Sequence, residues 1–202
     1  MSSSYLLDPF VLTTLVEKGK SYLDVACGRG KWGYLIKTSH KPPGYIVGGD
    51  LNIESVRYVK AHNVYDDVVM FDGRHLPYQD ASIDYVLVFE AIEHMEKSDG
   101  DRLIDEVERV AREKIVLSTP LLGARYWYSE KEHVSRWTAG DLRKRGYTVR
   151  GVGFSFFGRF TTYSLAFALA PLAYYMPWMS YILLAWKNFK GKRVRHEGFT
   201  GN

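Results

Sequence analysis

Residues 23–33, "LDVACGRGKWG", place Gly28, Gly30 and Gly33 directly after an apolar run that reads as a buried strand. A strand, a glycine-rich turn and a following helix bring backbone N–H groups and a helix N-terminus towards a ligand. Such a unit asks for an open α/β sheet, and the chain around it agrees. "SYLDVAC" (21–27), "YIVGGD" (45–50), "DVVMFD" (67–72), "IDYVLVFE" (83–90) and "KIVLSTP" (114–120) are short and mostly apolar on both faces. Parallel strands covered by helices have that character. Amphipathic stretches at 31–38, 53–62 and 98–113 lie between them and read as helices. In the last, Leu103, Ile104, Val107, Val110 and Ala111 form one stripe, and Ser98 is placed to cap it. Strand alternating with helix predicts βαβ units and a parallel sheet.

After Pro120 the rhythm changes. "GARYWYSEKEHVSRW" (123–137) reads as an ordered loop, whose Tyr126, Trp127 and Tyr128 suit either a lid over an apolar acceptor or core packing. "TAGDLRKRG" (138–146) predicts a short helix capped by Thr138 and ended by Gly146, and "YTVRGVGFSFF" (147–157) alternates as a strand. Residues 160–186 hold no charge and are long enough to cross a bilayer as a helix. Pro171 and Pro177 interrupt that helix twice. They favour a helix over 161–170, a proline-marked turn and a buried strand "SYILLAWKN" (180–188).

Cys27 is the one cysteine, which excludes an intramolecular disulfide framework and fits a reducing cytoplasm; "MSSSYLLDPF" has no signal-peptide character. The net charge of +4 hides an asymmetry: residues 1–124 carry 14 Lys/Arg against 19 Asp/Glu, and residues 125–202 carry 13 against 4. The surplus peaks in "KNFKGKRVR" (187–195), which reads as a solvated tail or as an attraction to an anionic membrane surface, nucleic acid or acidic substrate.

The segment "GRGKWG" formally matches the dinucleotide pattern G-x-G-x-x-G, which is weak evidence alone. Asp50, 22 residues after Gly28, would hold ribose hydroxyls with a dinucleotide or with another nucleoside. Three further acids favour a nucleoside without a pyrophosphate. Asp24 lies inside the first strand, Asp72 ends the third and Glu90 ends the fourth. Carboxylates at successive strand ends suit a cationic ligand, and S-adenosylmethionine has an ammonium, a sulfonium and a ribose diol.

"LDVACGRG", "GGDLN", "FDGRHLPYQDASIDYVLVFEAIEHM" and "VLSTP" resemble, in order and spacing, the successive motifs of class I S-adenosylmethionine-dependent methyltransferases. They are most similar to the UbiE/UbiG-like (type 11) branch, and "EHVSRWTAGDLRKRGYTV" (132–149) resembles a later segment of that branch. The resemblance implies a Rossmann-like three-layer α/β/α sandwich. Its seven-stranded, mostly parallel sheet has the order 3-2-1-4-5-7-6 with strand 7 antiparallel, and "SYILLAWKN" is the candidate for that strand. One domain would then span 1–190, with a helical lead-in at 1–19, a helical insertion at 160–178 and a basic tail at 191–202. The resemblance also assigns Asp24, Ala26, Gly28 and Gly30 to the methionine end of the cofactor. It gives Asp50 to the ribose with Leu51 beside it, Asp72 and Gly73 to the adenine, and Glu90 to the floor beside the methyl group. Ala26 departs from the glycine common in the family.

Methyl transfer from a sulfonium is an in-line displacement, so alignment in a dry pocket can supply most of the catalysis. A general base is needed only if the acceptor arrives protonated. Glu90, His94 and His133 are the catalytic candidates, with Glu93 beside them. There is no H-E-x-x-H motif and no cysteine pair, so no metal is expected. The implied reaction methylates a small-molecule or lipid-like acceptor and leaves S-adenosylhomocysteine, in the cytoplasm and with residues 160–195 available to a membrane surface. Alternatives are an NAD-dependent oxidoreductase, a membrane-attached or scaffolding module without chemistry, and an RNA methyltransferase. The last lacks a recognisable RNA-binding module, and nucleic acid is disfavoured as a partner.

Overall fold

A computed structural model describes residues 5–121, 133–153 and 163–189, and side chains from residue 169 onwards in the last segment. In chain order the elements are α1 (Asp8–Phe10), β1 (Ser21–Val25), α2 (Lys31–Lys37), β2 (Tyr45–Asp50), α3 (Ile53–Ala61), β3 (Asp67–Met70), β4 (Ile83–Phe89), α4 (Lys97–Val110), β5 (Ala111–Pro120), α5 (Ala139–Lys144), β6 (Thr148–Val152), α6 (Tyr163–Tyr175) and β7 (Ile182–Asn188). The seven strands form one sheet in the order β3-β2-β1-β4-β5-β7-β6. β7 runs antiparallel between β5 and β6, and the β1–β2, β1–β4, β2–β3 and β4–β5 pairs are parallel. This is the predicted architecture, including the place of the last strand.

Alternation along the strands builds two cores. Leu23, Val25, Val86, Val88, Ile115 and Leu117 face α4 and α5, packing on Leu103, Ile104, Val107 and Leu142. Tyr22, Tyr85, Leu87, Val116 and Leu184 face the other way, against Leu7, Val11, Trp32, Ile36 and Val59. Each fully buried Leu or Val contributes on the order of 1.5–3 kcal/mol over exposure, so the two layers of side chains hold the sheet from both faces.

Several boundaries differ from the sequence expectation. α4 begins at Lys97 with Glu96 as N-cap and no side-chain cap bond, so Ser98 lies inside the first turn and does not cap. α4 also ends at Val110, and Ala111 starts β5 rather than closing the helical stripe. The sheet wins there because Ala111 pairs with Ile83 and the Arg112 guanidinium binds the Ala81 and Ser82 carbonyls and Asp84. α6 runs through Pro171 to Tyr175 instead of stopping at 170. Packing supports the turn beyond the proline: Ala173 is fully buried, the Tyr174 ring lies 5.5 Å from Phe10, and the Arg150 guanidinium sits over Tyr174. Among the described residues no helix is long and apolar enough to cross a membrane. Lys187 belongs to β7 and pairs with Glu108, so it is no part of a free basic tail. Tyr126, Trp127, Tyr128 and residues 190–202 lie outside the described residues.

α5 begins as predicted. The Asp141 N–H donates to Thr138 Oγ1 at 3.1 Å and the Thr138 N–H donates to Asp141 Oδ2 at 2.9 Å, a reciprocal capping box. Gly146 closes the helix at φ +84°. Thr138→Ala is expected to cost about 1 kcal/mol, read as a lower urea midpoint with an unchanged m-value.

Candidate active site

Ligands of open α/β sheets bind outside the carboxyl ends of the strands, where the order of strands reverses. Here that edge is formed by the ends of β1, β2, β3 and β4. The backbone leaves β1 through Ala26 at φ +58°, Gly28 at φ +53° and Gly30 at φ +81° before α2 starts. Left-handed geometry costs a non-glycine residue about 1–2 kcal/mol, so Ala26 sits where glycine would relax strain. The family departure at Ala26 therefore bears on backbone conformation as well as on space. At Gly30 a Cβ would meet Val64 Cγ1 at 2.8 Å, so the turn cannot accept a side chain there.

Asp50 locks this turn. Its Oδ2 accepts the Gly28 N–H at 2.8 Å and its Oδ1 accepts the Asn52 N–H at 2.8 Å. Asn52 in turn caps α3 by accepting the Glu54 N–H. One carboxylate thus ties the end of β1 to the start of α3, with lone pairs left for a further donor. Leu51, the next residue, is 65% exposed at this edge.

Asp24 is 1% exposed, and its Oδ2 accepts a hydrogen bond from the Tyr65 hydroxyl at 2.6 Å. Burial pushes its carboxyl up to about 7; the Tyr65 hydrogen bond pulls it down and the charge of Asp50 raises it further. No ion pair satisfies Asp24 among the described residues. Tyr65 was not foreseen from the sequence. Its ring lies against Gly33 and Gly48, where added Cβ atoms would meet it at 2.2 and 2.5 Å. The third glycine of "GRGKWG" is therefore a packing position for the ring that holds Asp24. Cys27 is buried, and burial with the charges of Asp24 and Asp50 drives its thiol well above the ordinary range, which suits a small hydrophobe and not a nucleophile.

Asp72 follows β3 and is clamped by Arg74, whose Nε and Nη2 donate at 3.0 and 2.6 Å. Arg74 holds the Asp72 carboxyl down to about 2 and also reaches Asp99 at 2.8 Å. Arg74 was not foreseen from the sequence, where its signal is the basic residue two positions after the acid in "FDGR". A Cβ on Gly73 would meet Leu103 of α4 at 3.0 Å.

Glu90 leaves β4 at φ +50°, with its N–H bonded to the Ser118 carbonyl at 3.0 Å. The 3-10 turn Ile92–His94 follows. Glu93 is 2% exposed, and Thr119 Oγ1 donates to its Oε2 at 3.0 Å. Burial raises the Glu93 carboxyl to about 8, and the charge of Glu90 adds to that rise. His94 Nε2 is 3.9 Å from Glu93 Oε1, and the His94 and His133 rings meet edge to face at 5.2 Å. The segment after His133 is stitched to the same turn. The Val134 and Ser135 N–H groups donate to the Glu93 carbonyl, and the Trp137 indole donates to the Ile92 carbonyl at 3.2 Å. Folding thus brings His133 to His94 and Glu93 across a sequence gap that no linear motif spans.

Residues 23–117 match the family model described as a methyltransferase domain. Over that segment the chain is similar to the class I, type 11 methyltransferases. Among curated relatives, the demethylmenaquinone methyltransferase of Listeria welshimeri is 31% identical over 80 residues, covering 36% of this chain and 33% of that protein. The chain thus spans about a third of the length of the curated relatives it matches. Solved structures extend the likeness of fold across most of the chain. A chain of the complex between the Haloferax volcanii Trm112 methyltransferase activator and a methyltransferase aligns with TM-score 0.67 at 18% identity, covering 95% of this chain and 91% of that one. A SAM-dependent methyltransferase from Aquifex aeolicus aligns with TM-score 0.62 at 18% identity, covering 90% and 88%.

Proposed function

We propose that this chain transfers a methyl group from S-adenosylmethionine to a small-molecule or lipid-like acceptor and releases S-adenosylhomocysteine. The observation that carries the reading is Asp24: a buried carboxyl without an ion pair among the described residues, directly before a turn with three left-handed residues. A buried acid of this kind gains most from a cation, and the cofactor's amino-acid end supplies one. In this reading Asp24, Ala26, Gly28 and Gly30 hold the methionine end, Asp50 the ribose with Leu51 against the nucleoside, and Asp72 and Gly73 border the adenine. Glu90 lies beside the methyl group, with His94 and His133 on the acceptor side. The sulfonium loses its charge as the methyl leaves, so the protein's main task is to hold acceptor, methyl carbon and sulfur in line.

The lipid-like acceptor draws support from the surface. Leu172, Tyr175, Met176 and Trp178 are 47%, 73%, 45% and 61% exposed on and after α6. Exposed large hydrophobic side chains in one stretch suit contact with a lipid surface. The domain is taken as 1–190, with 191–202 as a basic tail that adds attraction to anionic lipid.

Titration calorimetry with S-adenosylhomocysteine and with NADH tests the cofactor: the first binds and the second does not. Asp50→Ala is expected to weaken S-adenosylhomocysteine at least tenfold, because it removes the ribose acceptor and unties the Gly28 N–H together. Tight NADH binding alone would overturn the assignment. Methyl-labelled cofactor incubated with lipid extract and, separately, with RNA then reports the acceptor by mass spectrometry; label entering only RNA sinks the lipid reading.

A further inference from the structure

We propose that Glu93, His94 and His133 form a binding site for a first-row divalent cation at the acceptor side of the candidate active site. The ligand atoms of these three side chains all lie within 4.8 Å of one another. Two imidazoles and one carboxylate are a donor set that suits zinc, manganese, cobalt or ferrous iron better than calcium or magnesium. Three protein ligands also leave coordination positions open, as catalytic sites do and closed structural sites do not. Bonds of about 2.0–2.2 Å put tetrahedral ligand atoms roughly 3.3–3.6 Å apart, so small side-chain rotations would complete the site.

The surroundings fit a built site. Thr119 holds Glu93 Oε2 at 3.0 Å, while Oε1 is the oxygen nearest His94. Such outer hydrogen bonds orient metal ligands and are needed for affinity. His133 is fixed because the next two residues both donate to the Glu93 carbonyl, and Trp137 locks the segment to Ile92. Trp137 is itself 2% exposed and packed so tightly on Gly100 that a Cβ there would meet its ring at 2.5 Å. Glu90 precedes the same turn by two residues, so a second carboxyl group stands at its entrance.

The role of the site rests on the methyl-transfer reading. The turn carrying Glu93 and His94 follows β4, which pairs with the strand that opens the glycine turn. A cation there would take a hydroxyl oxygen of the acceptor and lower its pKa, as metals do for bound water. The hydroxyl proton leaves to solvent. The oxygen then attacks the methyl carbon, an O–C bond forms as the S–C bond breaks, and the S–C electron pair stays on sulfur as a neutral thioether. The substrate class is therefore a hydroxyl acceptor.

Equilibrium dialysis of the tag-free full chain against Zn2+, with Co2+ absorption spectra as a second readout, tests the site. The expected result is one equivalent bound, weakened at least a hundredfold in His133→Ala and in His94→Ala, and about 10–100-fold in Thr119→Val. S-adenosylhomocysteine affinity should change less than threefold in His133→Ala, which also shows that the variant is folded. Should His133→Ala unfold, the His94→Ala comparison decides. Less than a tenth of an equivalent in the wild type, or equal binding in both histidine variants, overturns the proposal. Zinc binding without any S-adenosylhomocysteine binding would keep the metal site and discard the methyl-transfer reading.

Discussion

Asp24→Asn is expected to make the free protein more stable at pH 8 while removing most of its affinity for S-adenosylmethionine. The carboxyl is held near 7 by burial, whereas an unfolded chain would ionise it near 4. Between those values the folded state holds a proton that the unfolded state has released. Stability from this group is therefore full below about pH 4, falls as pH rises through about 7, and is absent above. The ionised folded form carries a penalty on the order of 4 kcal/mol, and an amide that still accepts from Tyr65 removes much of it. Urea unfolding should show a gain on the order of 1–3 kcal/mol at pH 8 that vanishes near pH 4. Binding moves the other way, because truncating one partner of a buried charge pair costs about 2–5 kcal/mol, thirtyfold or more in affinity. A variant that is less stable at pH 8 and binds normally would make Asp24 a purely structural acid.

Gly33→Ala is the second large effect. Its methyl would lie 2.2 Å from the Tyr65 ring, and the ring cannot retreat because Gly48 already packs on it. Overpacking of this kind costs about 3 kcal/mol, or roughly 6–12 °C in Tm for a chain of this size. The displaced ring would also withdraw its hydroxyl from Asp24, so cofactor affinity should fall with stability. Tyr65→Phe separates the two causes: it keeps the ring, loses the hydrogen bond, and should weaken binding with a much smaller loss of Tm. Wild-type stability in Gly33→Ala would show that the ring moves freely.

These effects mark what was legible in the sequence. The strands announced themselves because both faces are apolar; the last strand was marked off by Pro171 and Pro177, and its place beside strand six was what the family resemblance implied. Asp24, Asp50 and Glu90 were legible as strand-end acids, since strand order places them on one edge. Tyr65 was not, because its tie to Asp24 crosses 41 residues and depends on two glycines that open space for it. Nor was the meeting of His133 with His94 and Glu93, which arises from backbone bonds between distant segments. Helix ends failed where longer-range contacts overrode local preference: Ala111 went to the sheet through Ile83, and α6 passed its proline under the hold of Ala173 and Tyr174.

The position of β7 has a consequence for synthesis. β5, through Pro120, is made well before Ile182–Asn188, yet β7 covers its outer edge and joins it to β6. A nascent chain therefore exposes the unpaired ladder of Val116 and Leu117 until those residues emerge, a template for pairing with a neighbouring chain. Ribosomes stalled within α6 should accumulate protein that chaperones bind and proteases cut. Release of the final strand should end both.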